Sequence, residues 1–192
     1  MCRRTGGEII GRDRTRGAVM FAIRPATVAD VPVIRQLIRE LAEYERLADE
    51  AVVTEAALWE TLFGPRPWAE VLIAEAGSEV AGFALFFHNY STFVGKPGLY
   101  VEDVYVRPKF RGHGLGTALF RRMARTAVDR GCARMEWAVL DWNESAEAFY
   151  RSIGAEPLDD WNIFRLTGPP LAALAGIALA EAKRSRWVEM FC

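Results

Sequence analysis

The segment from Val104 to Thr117 combines residue types that are suited to binding an anion. Three glycines, Gly112, Gly114 and Gly116, fall between a strand-like run and a helix-like run. Glycines let backbone N–H groups converge, and a helix N-terminus adds partial positive charge. Five cations accompany the glycines: Arg107, Lys109, Arg111, Arg121 and Arg122. This combination predicts a site for a polyphosphate.

The glycine-rich segment is compatible with more than one role. A tight strand–helix connection without a ligand would use the same glycines, and this alternative stays open. A Walker phosphate loop is excluded because the Gly-Lys-Ser/Thr ending is missing. A dinucleotide fingerprint requires the loop in the first βαβ unit, whereas here it lies midway along the chain.

A second segment, Asp141 to Ala155, carries polar groups and a phenol. Asn143 and Ser145 stand where a helix is expected to start, so they either cap that helix or bond a ligand. Tyr150 follows about two turns later. A phenol close to a leaving thiolate can act as a general acid, although a tyrosine on an amphipathic helix also serves simply as core.

Carboxylates form a third group. Glu102 and Asp103 interrupt a strand that is otherwise suited to burial, and successive side chains on a strand point to opposite faces. A cross-strand salt bridge or a strand-end cap would also account for them. Further acidic residues lie at the end of the first helix: Glu43, Glu45, Asp49 and Glu50. Exposure to solvent on one face of the helix would account for most of these four.

Hydrophobic periodicity and turn residues predict the elements that position these groups. They follow the order β-α-α-β-β-β-α-β-α-β, which indicates an α/β fold with a mixed sheet flanked by helices. The expected strands are Phe21–Arg24, Val71–Glu75, Val80–Phe87, Leu99–Arg107, Met135–Leu140 and Trp161–Leu166. The expected helices run from Asp30 to about Arg46, Thr54 to Phe63, Leu115 to Arg130 and Ser145 to Ser152.

Composition limits the class of protein. The chain has 192 residues, of which 51% are hydrophobic and 26% charged, with a net charge of −1. This balance suits a globular domain and gives no general attraction to nucleic acid or anionic lipid. No apolar run reaches the roughly 20 residues of a membrane span. We expect a domain over 20–168, a flexible tail over 1–19 and a helical extension over 169–192.

The three cysteines, Cys2, Cys132 and Cys192, are scattered and show no metal-ligand spacing. They favour a reducing compartment, with the cytoplasm as the default, and predict neither a disulfide framework nor a metal.

The motifs resemble those of the GNAT acetyltransferases. Arg111-Gly-His-Gly-Leu-Gly116 is similar to the Arg-x-x-Gly-x-Gly signature of that family, and Asn143 to Ala155 is similar to its Asn-x-x-Ala-x-x-Phe-Tyr-x-x-x-Gly pattern. The resemblance implies a GNAT fold, acetyl-CoA as co-substrate and a homodimer. It also implies the residues that bind acetyl-CoA: Val104, Tyr105, Val106, Arg111, Gly112, His113, Gly114, Leu115, Gly116, Thr117, Asn143 and Ser145.

Phe21 to Leu166 further resembles the spermidine/spermine and thialysine acetyltransferase branch of the family. The carrying segments are Ile23–Thr27, Leu37–Leu41, Tyr44-Glu45, Gly95-Lys96 and Leu99–Asp103. By this resemblance, Glu102 and Tyr150 are catalytic, Glu102 as the group that takes the amine proton and Tyr150 as the acid for the thiolate. The resemblance also implies the residues that bind the amine: Tyr44, Glu45, Glu102, Asp103 and Phe93. Phe93 stands where the polyamine enzymes would have tryptophan, which weakens the assignment of the substrate.

The expected function is direct acetyl transfer from acetyl-CoA to a primary amine of a polyamine or a lysine-like amino acid. Two alternatives remain at this point, a protein lysine or N-terminal acetyltransferase and a non-catalytic acyl-CoA sensor. Neither a nucleic acid nor a membrane is expected as a partner.

Overall fold

The computed structural model describes residues 8–10 and 20–177, and it divides the chain into two compact units, Met1–Asn143 and Glu144–Cys192. The first unit contains a six-stranded sheet in the order β1-β2-β3-β4-β5-β6. Neighbouring strands are antiparallel except for β5 and β6, which are parallel. The strands are β1 Glu8–Ile10, β2 Phe21–Pro25, β3 Glu70–Ala76, β4 Glu79–Ser91, β5 Lys96–Val106 and β6 Met135–Glu136.

Three helices pack against this sheet, α1 Val31–Glu45, α2 Glu55–Phe63 and α3 Leu115–Asp129. Helices α1 and α2 bury Ile34, Leu37 and Leu58 in one cluster with Ile73 and Phe83 of the sheet. Alternate strand residues such as Leu72, Ala84 and Phe86 are also buried and face the other side, because side chains alternate along a strand. The predicted α/β class with a mixed sheet and flanking helices is therefore confirmed.

Local signals in the sequence account for the ends of these helices. Thr54 caps α2 by accepting a hydrogen bond from the Ala57 N–H at 3.2 Å. Helix α1 ends at Arg46, which adopts a left-handed backbone conformation with φ of 63°. Helix α3 buries Leu115, Leu119, Met123 and Ala127, which recur at helical spacing and lie on one face.

Three parts of the predicted element order differ from the structure. Residues 161–167 form no regular element, so the predicted strand Trp161–Leu166 is absent, and the side chains of Trp161, Ile163 and Phe164 are exposed. An alternating pattern favours a strand only where another backbone is available to pair with it. The predicted strand Met135–Leu140 is reduced to two residues. Within the tail predicted over 1–19, Glu8–Ile10 pairs with β2, and the rest of that tail lies outside the described residues.

The second unit contains two short helices, α4 Glu144–Ser152 and α5 Gly168–Leu174. Helix α4 carries the pair Glu147 and Arg151 one turn apart, with Arg151 Nη2 2.6 Å from Glu147 Oε1. Helix α5 begins at the last residue of the predicted domain and continues into the predicted C-terminal extension, whose residues 178–192 lie outside the described part of the chain. Over the described residues, no helix combines the length and the apolar character that crossing a membrane requires.

Candidate active site

A bulge in β5 determines where the two strand carboxylates lie. Leu85 of β4 pairs with Asp103, but the next residue, Phe86, pairs with Val101, so Glu102 is the extra residue of β5. Because Leu85 and Phe86 point to opposite faces, Val101 and Asp103 do so as well, although they are two residues apart. The alternation that predicts opposite faces for Glu102 and Asp103 therefore does not apply at this position.

Three carboxylates interact where the bulge meets the end of α1. Burial raises the pKa of Asp103 to about 7, and the negative charges of Glu102 and Glu45 act in the same direction. Burial also raises the pKa of Glu45. Groups of this kind gain from a nearby cation, because an ammonium ion offsets their mutual repulsion and favours their ionised forms.

The loop between β5 and α3 has the backbone geometry that the glycines predict. Gly112 and Gly114 adopt positive φ values of 77° and 81°, and a Cβ added to either would meet no atom within 4 Å. The first helical bond of α3 runs from Ala118 N–H to Gly114 C=O at 3.0 Å. The amides of the three preceding residues therefore lie ahead of the hydrogen-bond ladder of the helix, where an anion can accept from them.

Two of the cations near the loop, Arg107 and Lys109, pair with carboxylates of the protein. Arg107 donates from Nε and Nη2 to the two carboxylate oxygens of Glu40, at 2.9 and 2.8 Å. Lys109 forms an ion pair with Glu79. Each of these cations therefore neutralises a carboxylate of the protein itself, which leaves Arg111 as the cation best placed in the loop to meet a phosphate.

Arg111 is oriented by its neighbours on both sides of the loop. Its Nε donates to the Val106 carbonyl oxygen at 2.9 Å. The guanidinium carbon lies 4.5 Å from the centre of the Tyr44 ring and 5.7 Å from that of Tyr105. Tyr44, for which the resemblance implies a contact with the amine, is thus next to the loop arginine.

Trp142 is a neighbour of this group that received no role from the sequence. Its ring centre is 5.9 Å from that of Tyr44, and the Arg46 guanidinium lies 5.4 Å from it in a cation–π contact. The Tyr44 hydroxyl donates to Asn143 Oδ1 at a long 3.4 Å. The position of Trp142 directly before Asn143 of the second motif is the feature of the sequence that could have indicated a place near the site.

The partial pairing of β5 and β6 leaves backbone groups for a ligand. The two strands pair only at Leu99 with Met135 and at Tyr100 with Glu136, whereas β5 continues to Val106. Along Val104 to Val106, the edge of β5 opposite β4 faces no other strand among the described residues. A ligand with amide groups can pair there, and its phosphates can reach the loop that follows. These features fit acetyl-CoA, which has a pantetheine arm and a pyrophosphate.

The remaining site residues implied by the resemblance lie in two other places. Phe93 is in the turn between β4 and β5 and is 95% exposed. The strand rise alone separates Lys96 from Glu102 by roughly 20 Å, so this turn is far from the carboxylates in the same chain. Ser145 and Tyr150 belong to α4 of the second unit, where the Tyr150 ring lies 5.6 Å from that of Phe149. The described residues contain no group of three or more side chains suited to holding a metal.

Comparison with known proteins gives consistent matches. Residues 34–155 match the family described as the acetyltransferase (GNAT) family. The thialysine N-epsilon-acetyltransferase of Bos taurus is 40% identical over 165 residues, covering 80% of this chain and 96% of the relative. The L-ornithine N5-acetyltransferase of Arabidopsis thaliana is 35% identical, with 82% and 90% covered. A solved integron cassette protein from the mobile metagenome of V. cholerae has a TM-score of 0.70 at 26% identity, with 81% and 97% covered.

Proposed function

The chain belongs to the GNAT acetyltransferase family, and we propose that it acetylates the side-chain amine of a small cationic amino acid, using acetyl-CoA. Acetyl transfer to a small amine agrees with the activities named for its relatives. Those names, thialysine and ornithine acetyltransferases, support an amino acid with a terminal amine ahead of a polyamine as the acceptor.

The observation that carries the choice of a cationic substrate is the group of carboxylates at the bulge. Burial raises the pKa of Asp103 to about 7, and the negative charges of Glu102 and Glu45 add to the rise, so ionisation of all three groups together is unfavourable. A bound ammonium relieves this repulsion, whereas a neutral substrate does not. The arrangement therefore favours a small molecule that carries at least one cationic amine.

Glu102 is the residue of this group that we assign to proton transfer. It is exposed at the bulge, so a water molecule can connect it to an incoming ammonium. The amine must lose its proton before it can attack a carbonyl carbon, and a carboxylate with access to water can accept that proton. Asp103 and Glu45, which are partly buried, are assigned to holding positive charge on the substrate.

The assignments on the acetyl-CoA side follow the loop and the open edge of β5. Acetyl-CoA supplies the thioester carbonyl that the amine attacks. Arg111 and the loop amides from Gly112 to Thr117 would hold its pyrophosphate, and the backbone of Val104 to Val106 would pair with its amides. Tyr150 is assigned to donating a proton to the sulfur that leaves, a role that the second motif supports.

The test is CoA release with acetyl-CoA as donor and a panel of acceptors: thialysine, lysine, ornithine, spermidine, spermine and a lysine-containing peptide. We expect turnover to be highest with one of the three amino acids. Highest turnover with a polyamine would change the acceptor but keep the proposed class of small amine. Turnover on the peptide alone would replace it with a protein-modifying function. Binding of acetyl-CoA without turnover on any acceptor would favour an acyl-CoA sensor.

We also propose that the enzyme is a homodimer and acts in the cytoplasm. The dimer is supported by the resemblance to the polyamine and thialysine branch. The reducing compartment is supported by the scattered cysteines, of which Cys132 is a free thiol in the described part of the chain. Light scattering after size-exclusion chromatography tests the first proposal, and a mass of one chain, 21.5 kDa, would contradict it.

A further inference from the structure

Tyr44 and Glu45 are consecutive residues at the end of α1, but they have different neighbours. Glu45 acts on Asp103 in the carboxylate group, whereas the Tyr44 ring lies 4.5 Å from the Arg111 guanidinium carbon. Consecutive side chains on an α-helix point about 100° apart, which accounts for the difference. The end of α1 therefore influences the carboxylates through the charge of Glu45 and contacts the phosphate loop through the ring of Tyr44.

The surroundings of Tyr44 fix its ring in this position. The Trp142 ring lies 5.9 Å from it, and the Tyr44 hydroxyl donates to Asn143 Oδ1 at 3.4 Å. Tyr44 thus contacts Arg111 and Asn143, which are two of the first-unit residues expected to bind acetyl-CoA. None of the contacts described for Tyr44 involves the carboxylates of the bulge.

The second aromatic ring that contacts Arg111, that of Tyr105, is also fixed by its surroundings. Tyr105 is 6% exposed and belongs to the core beneath α1. It hydrogen-bonds to Glu40, the carboxylate that also accepts two bonds from Arg107. Arg111 therefore contacts one aromatic ring of the core and one of α1, while its Nε bonds to the Val106 carbonyl oxygen.

We propose that Tyr44 is a positioning residue for acetyl-CoA, which holds the Arg111 guanidinium at the phosphate loop. The proposal rests on the proposed function. An arginine side chain has several rotatable bonds, and a contact with an aromatic face restricts its orientations before any ligand binds. The arginine therefore loses less conformational entropy when it binds a phosphate. Loss of the Tyr44 ring should therefore weaken acetyl-CoA binding through Arg111.

The experiment measures the Kd for acetyl-CoA by isothermal titration calorimetry, without any amine present. Tyr44→Leu removes the ring and should raise the Kd about threefold to tenfold. Tyr44→Phe keeps the ring and should restore most of the affinity. Tyr90→Leu, the same type of change at an exposed tyrosine on β4, is the matched control and should leave the Kd unchanged. Melting temperatures check folding, and Tyr44→Met repeats the test if the leucine variant is unstable.

A double-mutant cycle with Arg111→Ala tests whether Tyr44 acts through the arginine. Tyr44→Leu should cost little further affinity once Arg111 is absent. An equal loss in both backgrounds would overturn the proposal, as would an unchanged Kd for acetyl-CoA combined with a raised KM for the amine. If the wild-type protein fails to bind acetyl-CoA, the proposed function fails first. Binding by the wild type with no effect at Tyr44 would reject this inference alone.

Discussion

Glu102 and Asp103 are adjacent in the sequence, and the bulge in β5 sets Asp103 opposite Leu85 while Glu102 has no partner on β4. One carboxylate is exposed and the other is partly buried. The two therefore experience different solvation at nearly the same place. This difference supports separate assignments, with proton transfer at Glu102 and charge stabilisation at Asp103.

The raised pKa of Asp103 predicts a pH-dependent effect on stability. A carboxyl whose pKa is about 7 in the folded protein and 3.8 in the unfolded chain destabilises the fold progressively as pH rises from about 4 to about 7. Asp103→Asn should therefore stabilise the protein at pH 8 relative to wild type, by about 2 kcal/mol after allowance for partial exposure, and much less at pH 4.5. Thermal unfolding at the two pH values measures the difference.

Asp49→Asn is the control for this prediction, because Asp49 is an exposed aspartate just beyond the end of α1. The gain at pH 8 relative to pH 4.5 should be larger for Asp103→Asn than for this exposed control. An equal gain for Asp103→Asn at pH 4.5 and pH 8 would show that the carboxyl of Asp103 titrates normally.

Removal of the Glu102 charge should slow the reaction without affecting acetyl-CoA binding. In Glu102→Gln, the side chain keeps its size but can no longer accept a proton. We expect kcat/KM for the amine to fall by about 10²–10³-fold, and the loss to shrink at high pH, where more of the amine is already neutral. Steady-state kinetics across pH measures this. Glu43→Gln is the control at an exposed glutamate of α1, and comparable losses in both variants would remove Glu102 from proton transfer.

Tyr150→Phe tests the second catalytic assignment. If the phenol protonates the leaving sulfur, its loss should lower kcat by about 10²-fold while the Kd for acetyl-CoA stays close to wild type. Single-turnover kinetics together with calorimetry separates the two effects. An unchanged kcat would mean that Tyr150 contributes only to packing.

Gly82 should tolerate no side chain, for a reason that lies in the sheet. A Cβ at this position would be 2.3 Å from the Tyr105 carbonyl oxygen, and neither backbone can move without disturbing the pairing of β4 with β5. Gly82→Ala should destabilise the protein by about 3 kcal/mol, and the melting temperature should drop by roughly 6–12 °C.

The matched control for Gly82 is Gly77→Ala. Gly77 has a φ of 63°, but a Cβ added there would point into open space, so only the backbone strain of about 1 kcal/mol applies. A loss for Gly82→Ala no larger than that for Gly77→Ala would contradict the clash.

Much of the fold could be predicted because its signals are local. The spacing of Leu115, Leu119 and Met123 determines which face of α3 is buried, and Thr54 marks the start of α2 in the sequence itself. The three glycines mark the connection between β5 and α3, where Gly112 and Gly114 adopt positive φ values. Each of these inferences depends on residues within one or two turns of one another.

The features that could not be predicted depend on distant parts of the chain. The bulge at Glu102 arises from the pairing of β5 with β4, and no glycine at or beside position 102 indicates it. The contact between Tyr44 and Arg111 joins residues 67 positions apart, counted from 44 to 111, after both elements have folded. Trp161 to Leu166 has a strand-like composition, but a strand also needs a partner, and composition does not supply one.

The extra residue in β5 has a consequence for how this chain can vary in length. Val101 and Asp103 already pair with the consecutive residues Phe86 and Leu85 of β4, so deletion of Glu102 would leave a regular two-residue repeat in the same register. Tyr105 would remain opposite Phe83 in the core, and the strand would still lead to Arg111 from the same face. The bulge therefore adds a carboxylate to the strand without displacing the residues on either side of it. A chain shortened by this one residue should keep its fold and lose the group assigned to proton transfer.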